Sequence, residues 1–263
     1  MSKIKEQIKL VPHSKGNALE FIHRYLSEND VREKVVFEMS AGSGYVANLW
    51  HEAGAKVSAF DKYPEVFKSK NLNCSPIDLD NKLPIESNKV DYVLLMETIE
   101  HIPNQQFLLG ELSRILKPNG ILIITKPNNS SLSGRMANLW TEAERSDMFL
   151  PNEASVIGYD DTHIYNGRVF LCNTQRLRTL AGLAGLHLEK VYKNQLSISS
   201  LLWYFFFGLF LHFRSFRTCK KLVRKTSNLQ EKIILHEQHA LNTNRTVLLH
   251  KHFCGVFRKE QMP

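Results

Sequence analysis

A chain of 263 residues with 43% hydrophobic and 23% charged residues can bury the core of a full globular domain, which excludes an intrinsically disordered protein. The net charge of +8 is unevenly placed, because residues 1–189 hold 21 basic against 23 acidic side chains and residues 190–263 hold 13 against 3. The four scattered cysteines form no CxxC pair and the N-terminus shows no secretory pattern, which excludes a disulfide framework and predicts a cytoplasmic protein.

Short apolar runs and helical repeats alternate along the chain. The predicted elements are, in order, helix 17–28, strand 34–39, helix 45–53, strand 56–60, strand 91–96, helix 105–116, strand 120–125, helix 174–184, and strands 186–192 and 255–259. Residues 128–168 are polar and predict a lid or substrate loop with some helix over 132–144. Strands that alternate with helices predict the α/β class: a Rossmann-like, doubly wound, mostly parallel seven-stranded sheet with helices on both faces.

The first strand ends in a turn of small residues, Ser40-Ala41-Gly42-Ser43-Gly44, which opens the next helix. Such a turn lets backbone N–H groups approach a ligand closely. The spacing Gly42-x-Gly44-x-x-Ala47 also satisfies the dinucleotide fingerprint, and Asp61 is an acidic residue at the next strand end. A NAD(P)-dependent oxidoreductase is therefore an open alternative at this point.

Three further features favour a sulfonium cofactor that carries an amino-acid end. Glu38 lies near the end of the first strand, where a dinucleotide fold usually has an apolar residue, and a carboxylate there can hold an ammonium group. Asp78 and Leu79 follow at a third strand end, where a carboxylate can accept a hydrogen bond from an adenine amino group. Finally, the turn Lys117-Pro118-Asn119-Gly120 leads directly into a strand.

Six segments, taken in order, resemble the motifs of the class I S-adenosylmethionine-dependent methyltransferases. They are VVFEMSAGSG at 35–44, AFDKYPE at 59–65, DLDNKLPIESNKVDYVLLMETIEHI at 78–102, LSRILKPNGILIITKPN at 112–128, TQRLRTLAGLAGLHLEKV at 174–191 and CGVFRK at 254–259. The resemblance implies methyl transfer from S-adenosylmethionine, with Asp61 on the ribose hydroxyls. The residues predicted to bind the cofactor are Glu38, Ser40, Gly42, Gly44, Asp61, Asp78, Leu79, Met96 and Glu97.

Ser40 is the one departure from the family pattern, which usually has glycine at this position. Serine is small enough to keep the turn, but its hydroxyl crowds or re-bonds the methionine end of the cofactor. Two readings stay open: the serine is tolerated, or the enzyme is degenerate and weakly active.

Histidines supply the candidate general bases. His101 follows the fourth strand, at the edge where α/β sheets bind ligands, and it titrates near neutral pH; its alternative role is to cap or pack the following loop. His163 precedes the late helix, where related enzymes often have a histidine facing the acceptor, and a structural role there is equally open. His236 and His239, and likewise His250 and His252, have spacings a metal could use, but no carboxylate cluster accompanies them, so no metal site is predicted.

An apolar stretch at 196–213 contains eleven residues without a polar side chain, LLWYFFFGLFL, too few to span a membrane. Six basic residues follow: Arg214, Arg217, Lys220, Lys221, Arg224 and Lys225. Aromatic residues beside a basic run predict peripheral membrane contact through 196–225. The alternative is a helical hairpin over the acceptor site with solvated basic residues; nucleic acid is less favoured, because the aromatics are contiguous and not interleaved with the charges.

The sequence therefore predicts a methyltransferase domain over 1–194 and 241–263, with an apolar and basic helical insertion at 195–240. The predicted acceptor is a small molecule or a lipid-linked glycan or quinone, by analogy with the enzymes that the chain resembles. Two alternatives remain at this stage: the NAD(P)-dependent oxidoreductase, and a catalytically weak, membrane-associated cofactor-binding protein.

Overall fold

The structure is a computed structural model that describes the backbone of residues 13–143, 156–159, 162–165 and 168–260 and the side chains of residues 19–143 and 168–260. Its helices are α1 His13–Glu28, α2 Tyr45–Glu52, α3 Gln105–Ile115, α4 Leu132–Thr141, α5 Thr174–Leu183, α6 Ile198–Val223, α7 Leu229–Thr243 and α8 Arg245–Leu249. Its strands are β1 Val35–Met39, β2 Lys56–Asp61, β3 Cys74–Pro76, β4 Val90–Met96, β5 Leu116–Pro127, β6 Val156–Tyr159, β7 Thr162–Tyr165, β8 Leu186–Val191 and β9 His252–Lys259. Short turns of 3-10 helix cover Pro64–Val66 and Ile99–His101.

Seven strands form one sheet in the order β3-β2-β1-β4-β5-β9-β8, and β6 pairs with β7 in a separate antiparallel hairpin. Strands β1 to β5 are parallel, whereas β9 runs antiparallel to both β5 and β8. The predicted α/β class and the seven-stranded sheet are confirmed. The sheet is nevertheless mixed, and sequence periodicity cannot show this, because a strand buried on both faces is the same apolar run in either direction.

Alternate residues of the central strands face two separate layers of core. On β5, Leu122 and Ile124 pack in the layer that contains α3 and α5, whereas Ile121 and Ile123 pack in the layer that contains α1 and α2. Trp50 of α2 is fully buried in the second layer, and helices thus cover both faces of the sheet, as predicted. The ends of the strands are left as the edge at which a parallel sheet binds its ligands.

A helical hairpin connects β8 to β9. Helix α6 is 26 residues long and packs against α4, α7 and α8. The predicted insertion, 195–240, contains α6 and most of α7. Across the described ranges, no helix combines the length and the apolar character that crossing a membrane requires.

Candidate functional site

The turn after β1 is drawn over the end of β2 by backbone hydrogen bonds. Ser40 N and Ala41 N both donate to the carbonyl oxygen of Phe60, each at 2.8 Å. The next N–H group, that of Gly42, donates to Asp61 Oδ2 at 2.7 Å. Because β1 and β2 are parallel neighbours in the sheet, this turn and the end of β2 lie at the same edge.

Three residues of the turn have a left-handed backbone: Ser40 at φ +88°, Gly42 at φ +54° and Gly44 at φ +80°. A Cβ atom at Gly44 would overlap the ring of Phe67, so glycine is required there on two grounds. Ser40 has the same kind of φ with a side chain attached, which is a strained conformation for an L-residue. The serine at position 40, where the family usually has glycine, therefore has a backbone conformation that glycine would adopt without strain.

Asp61 is 7% exposed and ends β2. Its Oδ1 accepts from Tyr63 N at 2.9 Å while Oδ2 accepts from Gly42 N, so one carboxylate joins the turns after β1 and β2. Each oxygen keeps a further lone pair for another donor. Glu38 is fully buried in β1, where it pairs with Ala59 of β2 and Leu94 of β4. It is the last residue but one of the strand, close to the same edge.

Asp78 and Leu79 follow β3, where the sequence analysis puts the end of a third strand. Leu79 is buried and packs in the core, whereas the side chain of Asp78 is 42% exposed. The carboxylate of Asp78 accepts from Asn81 Nδ2 at 3.1 Å and lies 3.7 Å from Lys62 Nζ, next to Asp61 in the chain. The two residues thus lie beside β2 at the outer end of the sheet.

Met96 and Glu97 lie where β4 ends. Met96 is 1% exposed, and Glu97 takes a left-handed φ of +53°. The N–H of Glu97 donates to the carbonyl oxygen of Thr125 on β5 at 2.9 Å, which anchors this conformation to the neighbouring strand. A strained non-glycine residue at the ligand edge of a sheet is a recurrent feature of functional sites.

A cluster of charged side chains lies next to this residue, and we call it the Glu97 cluster: Glu97, Glu100, Arg168 and His252. Glu97 Oε1 lies 3.2 Å from His252 Nδ1, and Glu97 Oε2 lies 4.0 Å from an Arg168 nitrogen. The same guanidinium is 3.6 Å from Glu100 Oε1. Two carboxylates therefore share one arginine, and one of them also contacts an imidazole.

Glu100 is the most deeply buried member of the cluster, with no exposed surface. Burial, and to a smaller extent the nearby charge of Glu97, raises the pKa of Glu100 to about 8. At neutral pH its protonated form is favoured, which relieves the repulsion between the two carboxylates. Such perturbed carboxyl groups at a ligand edge are typical of functional sites.

The two histidines predicted from sequence have different surroundings. His101 ends the 3-10 turn after β4 and is half-buried. Its backbone N–H donates to the carbonyl oxygen of Thr98 at 2.9 Å. His163 lies on β7 opposite Gly158, and its side chain falls outside the described residues. The structure thus brings His101 to the edge that carries Glu97 and leaves the surroundings of His163 undescribed.

Three members of the Glu97 cluster cannot be assigned to it from sequence patterns. Glu100 follows the fourth strand, but no local pattern indicates its burial. The spacing of His252 from His250 is its one local signal, since nothing in the sequence shows that β9 runs beside β5 and places His252 opposite Pro127. Arg168 carried no local signal, because it contacts residues about seventy positions earlier in the chain.

The hydrogen-bond acceptors at the strand ends fit S-adenosylmethionine. The turn Ser40–Gly44 is a cradle of backbone that a side chain at Gly44 would disrupt, and a carboxylate closes it. Buried carboxylates at Glu38 and Asp61 match an ammonium group and a ribose diol, which are both donors.

A family model described as a methyltransferase domain matches residues 13–191, which is more than half of the chain. The chain belongs to this methyltransferase family. Its fold is that of the class I methyltransferases, whose cofactor is S-adenosylmethionine. Membership decides against the NAD(P)-dependent oxidoreductase that the glycine turn alone allowed.

Curated relatives agree with this assignment. The chain is 26% identical over 182 residues to a ubiquinone biosynthesis O-methyltransferase of Xylella fastidiosa, covering 66% of this chain and 68% of that protein. It is 26% identical over 102 residues to a probable S-adenosylmethionine-dependent methyltransferase of Mycolicibacterium smegmatis, covering 37% of this chain and 40% of that protein. A ubiquinone biosynthesis O-methyltransferase of Xanthomonas oryzae is 26% identical over 116 residues, covering 41% of this chain and 48% of that protein. The chain thus spans about half or less of the length of most of these relatives.

Solved structures match the fold. A protein from Pyrococcus horikoshii has a TM-score of 0.54 at 16% identity, covering 92% of this chain and 89% of that chain. The YcgJ protein from Bacillus subtilis has a TM-score of 0.51 at 13% identity, covering 92% of this chain and 98% of that chain. At such identities the likeness concerns the fold alone.

Proposed function

We propose that this protein transfers a methyl group from S-adenosylmethionine to a small-molecule acceptor. The observation that carries the proposal is the buried carboxylate of Asp61, which joins the left-handed turn after β1 to the end of β2. This arrangement offers paired hydroxyl groups an acceptor beside a glycine turn, in a chain that belongs to the methyltransferase family.

In this proposal each residue at the strand ends binds a different part of the cofactor. Glu38 holds the ammonium group, directly or through water, and Asp61 holds the ribose hydroxyls. Asp78 and Leu79 bind the adenine, one by its carboxylate and the other by its apolar surface. The remaining members of the pocket are the turn residues Ser40, Gly42 and Gly44 and the β4 residues Met96 and Glu97.

When bound, S-adenosylmethionine supplies a methyl group already activated by a sulfonium, so the protein mainly has to align the acceptor and exclude water. An acceptor hydroxyl would lose its proton as its oxygen bonds to the methyl carbon and the bond from that carbon to sulfur breaks, and an imidazole nitrogen would take the proton. His101 and His163 are the bases proposed from sequence. His252 is a third, because the contact of 3.2 Å between its Nδ1 and Glu97 Oε1 fixes the orientation of the ring.

The acceptor that we propose is an apolar small molecule of quinone type, with a lipid-linked glycan as the other candidate. Two of the relatives carry the name ubiquinone biosynthesis O-methyltransferase, which supports a phenolic oxygen as the methylated atom. In this proposal residues 1–194 and 241–263 form the methyltransferase domain of a cytoplasmic protein, and 195–240 form the insertion that contacts the acceptor or a membrane surface.

Calorimetric titration with S-adenosylhomocysteine, and separately with NADH, tests the cofactor. Incubation with S-adenosylmethionine labelled in its methyl group, followed by mass spectrometry of added catechols and of lipid extracts, tests the transfer. We expect binding of S-adenosylhomocysteine alone and label on a phenolic oxygen. Cofactor binding with no labelled product from any pool would favour a catalytically weak binding protein instead.

A further inference from the structure

Helix α6 exposes a continuous row of large apolar side chains, which we call the apolar stripe. Its members are Ile198, Leu202, Phe205, Phe206, Leu209, Phe213 and Phe216, and each is between 54% and 91% exposed. Phe205 and Phe206 are adjacent in the chain, and the other neighbours in this row are three or four residues apart, which places the row on one face of the helix over five turns. A surface helix normally turns such residues inward, so this face reverses the usual pattern.

The opposite face of α6 is firmly packed. Ser200 Oγ lies 2.8 Å from Ser133 Oγ of α4, and both side chains are buried. Further along, Ser215 Oγ lies 2.8 Å from His239 Nδ1 of α7, and Cys219 is buried against the same helix. The stripe therefore points outward because polar contacts fix the rotation of the helix, and a small roll of α6 cannot hide it.

Cations continue the same face where the apolar residues end. Lys220 and Arg224 follow the stripe at helical spacing, with Arg217 on its flank. The Arg217 guanidinium lies 5.5 Å from the centre of the Phe213 ring, and Lys220 Nζ lies 6.0 Å from that of Phe216. No acidic residue occurs between positions 190 and 230, so these charges have no carboxylate on their own segment.

We propose that the apolar stripe docks on the surface of an anionic lipid bilayer, with α6 lying in the plane of the interface. The aromatic and aliphatic side chains enter the boundary between headgroups and acyl chains, and the cations pair with lipid phosphates. The basic charge of residues 190–263 supplies the complementary field. If the acceptor is apolar, as we propose above, the membrane is also the phase from which it reaches the site, and this part of the inference rests on the proposed function.

Two other occupants fit the observations less well. A second copy of the chain would bring the same face, with the same cations and no carboxylate to pair them. An acidic amphipathic helix of another protein would pair the cations, but a groove that receives a helix is concave, whereas the stripe is the convex outer face of a single helix. A lipid surface satisfies both the shape and the charge.

Flotation of the full-length protein with lipid vesicles tests the proposal. One set contains phosphatidylcholine alone, and the other contains about 30% phosphatidylglycerol. The stripe variant is Leu202→Ser, Phe205→Ser and Leu209→Ser. Its matched control makes the same change at three leucines outside the stripe that are 68% to 73% exposed: Leu139, Leu183 and Leu229. A charge variant replaces Arg217, Lys220 and Arg224 with Gln.

We expect the unmodified protein and the leucine control to float with the anionic vesicles. The stripe variant should partition at least about tenfold more weakly, and the charge variant should prefer anionic over neutral vesicles less strongly than the unmodified protein. Raising the salt concentration from about 0.05 to 0.5 M should weaken binding of the unmodified protein more than that of the charge variant, which keeps Arg214, Lys221 and Lys225.

The proposal is overturned if the unmodified protein stays with the unbound fraction, or if the stripe variant floats as well as the control. It is also overturned if light scattering shows a dimer without lipid that the stripe variant abolishes, since the stripe would then bind a second copy. Titration of each variant with S-adenosylhomocysteine separates the two hypotheses. Cofactor binding without flotation removes the membrane surface alone, and flotation without cofactor binding removes the proposed function alone.

Discussion

The sheet and helix α6 place their apolar side chains in opposite ways. In the sheet, Phe257 and most of the other apolar side chains of the central strands are buried, and the polar group of Asp61 lies at a strand end. In α6 the side chain of Ser200 is buried against α4, and Phe205 faces outward, 84% exposed. At the strand ends the polar groups are joined by hydrogen bonds within the chain, whereas the apolar stripe is left exposed. In our proposals this difference separates a site for a small ligand from a surface for an extended partner.

Truncation of one phenylalanine side chain in each region tests this difference most directly. Phe257→Ala should lower the free energy of unfolding by about 3–5 kcal/mol, because it leaves a cavity in the core of the sheet. Phe205→Ala should change it by less than about 0.5 kcal/mol, since its ring is already in solvent. Urea denaturation of both variants measures the difference. A large loss at Phe205 would mean that the stripe is covered by the chain itself.

Asp61→Ala tests the proposed cofactor site at the ends of the strands. It should weaken binding of S-adenosylhomocysteine by about 1–3 kcal/mol, or roughly five- to 150-fold. The substitution removes the acceptor for the ribose hydroxyls and frees the Gly42 and Tyr63 N–H groups that shape the turn. Calorimetry provides the measurement. The control is Asp78→Ala, where the carboxylate is 42% exposed and a smaller loss is expected. Unchanged affinity in Asp61→Ala would mean that the cofactor lies elsewhere along the edge.

Glu100 allows the same comparison by pH, because the buried carboxyl groups among the described residues belong to the sheet region. Its pKa is raised from 4.5 to about 8 in the folded protein, so protonation favours folding. The resulting stability is fully present below about pH 4.5 and is lost as the pH rises through about 8. Glu100→Gln keeps a neutral side chain throughout and should be more stable than the unmodified protein at pH 9, by about 1–3 kcal/mol, but not at pH 4.5.

Urea denaturation at pH 4.5, 7 and 9 measures the effect of Glu100→Gln. Glu111→Gln serves as the matched control, because its hydrogen bond with Arg114 lowers the pKa of Glu111 and reverses the sign. That variant should be less stable than the unmodified protein at neutral pH and should converge with it in acid. Parallel curves for the two variants would show that Glu100 is charged in the folded state.

The parts of this molecule that the sequence predicts are those that depend on neighbours in the chain. Strand ends, the glycine turn and the acidic residues after them are local patterns, which is why Glu38, Asp61 and Glu97 could all be assigned to one edge. The Glu97 cluster depends on β9 pairing with β5 and on Arg168 returning from another part of the chain. Such contacts leave no periodic trace.

Helix α6 shows a second limit of the same kind. Its apolar and basic composition is visible in the sequence, but a helix that is apolar on nearly every side gives no indication of which face is packed. That choice is made by serines, through the contact of Ser200 with Ser133, and serines near a helix start are ordinarily assigned only to capping. The composition therefore predicts a partner for 196–225, and only the tertiary contacts select the stripe.

Ser40→Gly should have the smallest effect. It tests the one position of the turn after β1 at which the sequence departs from the usual glycine of the family. At φ +88° a serine is strained by about 1–2 kcal/mol, while glycine adopts this conformation freely. Glycine costs about 0.5–1 kcal/mol through the greater freedom of the unfolded chain, so the net gain in stability should be about 0.5–1 kcal/mol. Ser43→Gly in the same turn, at a residue without a positive φ, should lose stability instead. If Ser40→Gly also tightens S-adenosylhomocysteine binding, the hydroxyl obstructs the methionine end; if affinity is unchanged while stability rises, the serine is tolerated and the strain belongs to the turn alone.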